Sequence, residues 1–79
     1  MIDKDFPLIG NYVIQSDVSG DRDGIGVEIY EGNEILIEIF RDDTKKKREI
    51  TLYQKDLSLE LIEQSIALFK KEIPWDFIE

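Results

Sequence analysis

The stretch Ser58–Ile73, SLELIEQSIALFKKEI, decides how the rest of the chain reads. Leu59, Ile62, Ile66, Phe69 and Ile73 recur at alternating spacings of three and four, which lines one face of an α-helix. Ser58 stands where an N-cap belongs, Glu60 falls in the first turn, and Leu57 with Ile62 fits a hydrophobic staple. Lys70 and Lys71 suit the negative end of the helix, and Pro74 pushes Ile73 out of helical geometry and ends the element. Leu61 and Leu68 lie to one side of the main stripe. They either widen the core contact or form a seam through which a homo-oligomer assembles. Widening is preferred, because helices of globular proteins commonly carry broad apolar faces.

Everything upstream reads as short strands that need such a helix to cover them. Gly10–Val18 (GNYVIQSDV) is a first strand whose face is ambiguous, since Val13 and Ile14 are both apolar. Ile25–Tyr30 (IGVEIY) and Glu34–Phe40 (EILIEIF) alternate and are rich in β-branched residues. Lys47–Tyr53 (KREITLY) is the fourth, with Ile50 and Leu52 toward the core. The expected fold is therefore α+β: a single four-stranded antiparallel sheet with one C-terminal helix packed on one face, residues 1–79 forming a single compact domain. The apolar tail Pro74–Glu79 is expected to fold back onto it.

The hairpin around Gly32-Asn33 poses a choice of register. A two-residue loop pairs Val27 with Glu38 and Ile29 with Leu36, which places Glu38 on the apolar face. A three-residue loop, Glu31-Gly32-Asn33, pairs Ile29 with Ile35, Val27 with Ile37 and Ile25 with Ile39, and keeps one continuous isoleucine face. The longer loop is preferred, with Asn33 in the left-handed conformation.

Composition narrows the chemistry. The chain has no cysteine and no histidine, which removes disulfides, the usual zinc ligands, cysteine nucleophiles and histidine-based triads. Ser19–Gly24 places aspartates at two positions of a calcium loop, but Ser19 and Tyr30 fall at its two anchor positions, so it reads as a solvated turn. Neither metal nor cofactor is expected. The carboxylate pairs sit on turns, where no pocket raises one pKa for general acid–base work, so no catalytic residue is expected either. The acidic N-terminus does not resemble a signal peptide, and no run approaches the ~20 apolar residues of a membrane span, which suggests a cytoplasmic protein. A net charge of −8 disfavours direct binding to nucleic acid or anionic membrane and suits a basic protein partner, although it also simply aids solubility. The basic run Lys45–Arg48 reads as protection for a strand edge.

With the helix over the isoleucine face, the outer sheet face presents Glu28, Tyr30, Glu34, Leu36, Glu38, Phe40, Glu49, Thr51 and Tyr53, of which Glu28, Tyr30, Glu38, Phe40, Glu49 and Tyr53 are the candidate partner contacts. Carboxylates interleaved with aromatics suit a docking surface, the aromatics as anchors and the acids steering a basic partner. Trp75 in the tail is the next candidate for partner contact. The plainer reading is that cross-strand aromatics stabilise the sheet and the tail covers some of them.

In size, charge and layout the chain resembles the small acidic immunity proteins of bacterial toxin systems. Glu38-Ile39-Phe40-Arg41-Asp42-Asp43 and Glu72-Ile73-Pro74-Trp75-Asp76-Phe77 are the segments that carry the likeness. The resemblance implies stoichiometric inhibition of a basic toxin enzyme. Two other functions stay open: a nucleic-acid mimic of the anti-restriction or anti-CRISPR kind, and a homo-oligomeric accessory protein using Leu61 and Leu68.

Overall fold

The computed structural model describes residues 4–18 and 22–78, so the Ser19–Gly24 turn falls largely outside the described residues. Strands β1 (Asn11–Asp17), β2 (Gly24–Glu31), β3 (Glu34–Asp42) and β4 (Lys47–Leu52) form one antiparallel sheet in sequence order, and helix α1 (Leu59–Glu72) follows. The helix packs over β2 and β3.

The expected caps of the helix are present. Ser58 is the N-cap, its hydroxyl accepting from the Leu61 amide at 3.1 Å. Ile73 leaves the helix with φ −112° and ψ 123°, the extended geometry that a following proline imposes.

The β2–β3 hairpin departs from both expected registers. Its loop is the two-residue turn Gly32-Asn33, with Glu31 opposite Glu34 and Tyr30 opposite Ile35. Gly32 takes the positive φ, 60°, that Asn33 was expected to take. Leu36 is then an extra residue in β3, and beyond it Ile29 pairs with Ile37 and Val27 with Ile39. The isoleucine face is kept, and Glu38 lies opposite Glu28 on the outer side. The requirement of a common apolar face was right; the extra residue that meets it sits in the strand as a bulge, not in the loop. The bulge also turns Leu36, expected outward, into the core.

That core joins Val27, Ile29, Ile37 and Ile39 of the sheet to Leu68, Phe69 and Ile73 of the helix. Phe6, Ile9 and Tyr12 complete it from the N-terminal side. The helix is turned about its axis relative to the stripe read from the sequence. Leu59 and Ile66 are 65% and 39% exposed, whereas Ser65 and Leu68 are fully buried. Leu68 thus widens the core, with Leu61 packed against it, and the pair is not available as an assembly seam. Segment 4–10 accounts for the rotation. The Leu8 amide donates to Gln64 Oε1 at 2.9 Å and Lys71 reaches Asp5 at 3.5 Å, which ties that segment to one flank of the helix. Ser65 is small enough for close approach, and its hydroxyl donates to the Leu61 carbonyl at 2.8 Å, so nothing polar is stranded there. As a consequence Ile50 and Leu52, expected in the core, lie on the helix side of β4 but remain about half exposed.

The tail does fold back, and the basic run receives it. Arg41 donates Nε and Nη2 to the two carboxylate oxygens of Asp43 at 2.9 and 3.2 Å, and Nη1 to the Pro74 carbonyl at 2.6 Å. Arg48 donates to the Trp75 carbonyl at 2.6 Å and lies 3.7 Å over the Trp75 ring. Lys46 donates to the Ile78 carbonyl at 3.1 Å, and the Ile78 amide donates to Asp43. Burial works against the Asp43 carboxylate, but its bonds from Arg41 and from the Ile78 amide outweigh that and hold its pKa below the ordinary carboxylate value. Lys46 and Arg48, which the sequence suggested were edge protection, thus clasp the chain's own C-terminal segment.

Candidate partner-binding face

The alternation of β2, β3 and β4 puts Glu28, Glu38 and Thr51 in one cross-strand row and Gly26, Phe40 and Glu49 in the next. Both rows lie on the face turned away from the helix. Among the described residues no helix or further strand covers this face.

Glu28 and Glu38 are directly opposed, an arrangement that repels unless each finds a partner. Each does. The Tyr30 hydroxyl donates to Glu28 Oε1 at 3.1 Å, and Arg22 Nη2 donates to Glu38 Oε2 at 3.1 Å. The bond to Glu28 favours the neutral phenol, and together with partial burial it raises the Tyr30 pKa. For Arg22, burial disfavours the charged form, yet the hydrogen bond and attraction of Glu38 prevail and its pKa is raised.

Phe40 differs from the sequence expectation of an exposed anchor. It is only 3% exposed, because the Arg22 guanidinium lies 3.7 Å over its ring. From below, its ring lies across Gly26, where an added Cβ would come within 3.0 Å of Phe40 Cδ1. Arg22, Glu38, Phe40, Lys45, Glu49 and Thr51 surround a shallow hollow of about 310 Å³. Glu49 pairs with Lys47 at 3.5 Å. Tyr53 is 48% exposed and is the most accessible aromatic of the face.

Six of the seven candidate residues are therefore on one face. Trp75 is not among them: it packs edge-on to Phe69 at 6.4 Å, on the helix side, beneath Arg48. The tail consequently leaves the outer face bare. Arg22 joins the site from outside the residues that strand alternation picks out. Its only signal in the sequence is a lone base between Asp21 and Asp23, which gives no hint that it reaches across to β3. Among the described residues no group of three or more acids is arranged to hold a metal ion. No described helix is long and apolar enough to cross a membrane. Compared with protein-family models, curated proteins and solved structures, the chain matches none.

Proposed function

We propose that this protein is a non-catalytic inhibitor that binds a basic protein partner through the outer sheet face, acting in the cytoplasm as an immunity protein does on a toxin enzyme. The observation that carries this reading is the bare face itself. It offers an exposed aromatic, Tyr53, beside carboxylates that are held in place by defined partners. Fixed side chains lose little conformational freedom on binding, which favours a rigid docking surface. Arg22 interrupts the row of acids, and that counts against mimicry of a phosphate backbone, which would want negative charge unbroken along the face.

The test uses the partner purified after capture from the native host and identification by mass spectrometry. On a sensor surface, Tyr53→Ala is expected to speed dissociation by removing a desolvated contact. Glu28→Gln is expected to slow association, with the loss shrinking at high salt as steering is screened. Unchanged rates for both variants would remove the outer face from the binding site.

A further inference from the structure

We propose that the outer edge of β4 pairs antiparallel with the β4 edge of a second copy of this chain, so that two sheets run on as one. The Tyr53 amide donates to the Leu36 carbonyl at 2.9 Å, which fixes the phase of the ladder: odd-numbered residues of β4 bond to β3. The N–H and C=O groups of Arg48, Ile50 and Leu52 therefore point away from the sheet, and no further strand pairs with them among the described residues. From Ile50 to Tyr53 this edge carries no charge and no proline, the two devices that ordinarily keep strand edges apart.

The side chains beside the edge reinforce the argument. Ile50 and Leu52 are about half exposed on the helix side, and Ile50 joins Ile66, Phe69 and Trp75 around a largely apolar hollow of about 170 Å³ that Arg48 and Glu49 also line. Leu59 continues the strip two helical turns before Ile66. The strip exposes on the order of 500 Å² per copy, the upper range for a single patch on a monomer. Two such strips with their polar rims reach the ~1,200 Å² of a small specific interface.

Charge selects a second copy as the occupant. Exposed Glu34, Asp56 and Glu60 outnumber Lys55 at the Leu52 end of the strip. Lys46, Lys47, Arg48 and Lys70 outnumber Glu49 and Asp76 at the other end. A two-fold axis normal to the sheet reverses one copy against the other and sets each acidic end beside a basic one. With Ile50 opposite its counterpart on the axis, Arg48 falls opposite Leu52 of the copy and the whole outward ladder is used. The two outer faces then form one continuous surface. Because the contact uses the opposite side and the edge, it stands or falls separately from the function proposed above.

Sedimentation equilibrium on the full chain, from micromolar to millimolar, tests the proposal. The expected result is a reversible dimer for the native sequence and at least tenfold weaker association for Ile50→Lys, with circular dichroism unchanged. If Ile50→Lys fails to fold, Leu52→Lys takes its place. Amide exchange supplies an independent readout: the Arg48, Ile50 and Leu52 amides should slow as concentration rises, whichever variant folds. A native chain that stays monomeric throughout overturns the proposal, and so does a folded variant that dimerises as tightly as the native chain. Edge amides whose exchange ignores concentration overturn it as well.

Discussion

The two flanks of the helix are built from similar apolar residues and end in opposite states. On one flank, segment 4–10 closes over the core, with Phe6 and Ile9 buried and Leu8 bonded to Gln64. On the other, Leu59, Ile66, Ile50 and Leu52 stay 39–65% exposed, and Ile50 and Ile66 share an open hollow with Trp75 of the tail. Composition does not explain the difference. The helix can lie over one part of a four-stranded sheet at a time, and the N-terminal segment fixes which part. An amphipathic stripe sets which residues are able to be buried; the neighbours that pull on the helix set which of them are.

The largest contrast is expected between core and strip. Phe69→Ala or Ile37→Ala, each removing a fully enclosed side chain, should cost about 2–5 kcal/mol and unfold much of so small a domain. Ile66→Ala on the open flank should cost less than half as much. Urea denaturation midpoints decide it, and equal losses would mean that the open flank is as tightly packed as the sealed one.

The clasp on the tail comes next. Arg41→Ala leaves the Asp43 carboxylate and the Pro74 carbonyl without their buried donor, and a loss of about 1–3 kcal/mol is expected because the part-buried carboxylate keeps its bond from the Ile78 amide. The same knot predicts a pH dependence. Asp43 has a lower pKa in the folded chain than in the unfolded one, so its stabilising contribution is fully present above the unfolded value of ~4. It is lost as pH falls through the folded value. Between about pH 5 and about pH 3 the native chain should therefore lose stability more steeply than Asp43→Asn. Parallel curves would show that the bonds from Arg41 and Ile78 do not stabilise the ionised form.

A smaller effect is expected where the sequence was clearest. Ser58→Ala removes the acceptor for the Leu61 amide and should cost about 1 kcal/mol, the usual value for an exposed N-cap, measurable as a shift in thermal midpoint.

That cap, the strands and the proline-ended helix were legible because each is written in local residues. The hairpin register was half legible: the isoleucine face was a valid constraint, but a loop residue and a bulged strand residue satisfy it equally, and nothing local separates Asn33 from Leu36 as the extra one. The rotation of the helix was not legible, since it depends on contacts such as Leu8 with Gln64 between opposite ends of the chain. The outer face was found because strict alternation places Glu28, Glu38 and Glu49 together. Its covering of Phe40 was missed for the same reason as the tail clasp. Arg22 and Arg48 act through long side chains that reach residues remote in sequence, and periodicity carries no information about reach.

The smallest expected effect concerns Leu59, the residue that the helical stripe suggested for the core and that lies 65% exposed. In an isolated copy, Leu59→Gln keeps a good helix former at an exposed position and should change stability by less than about 0.5 kcal/mol. The open strip makes a second demand on the same variant. If two copies associate there, assembly stabilises the folded state by mass action, and the thermal midpoint of the native chain rises with concentration. Leu59→Gln should then match the native midpoint in dilute solution and fall below it in concentrated solution. Leu68→Gln, on the buried arc one side of the stripe, should be destabilised equally at both. Scanning calorimetry at two concentrations separates these patterns. A Leu59→Gln midpoint that is depressed by the same amount at every concentration would place Leu59 in the core after all, and the two flanks would no longer differ.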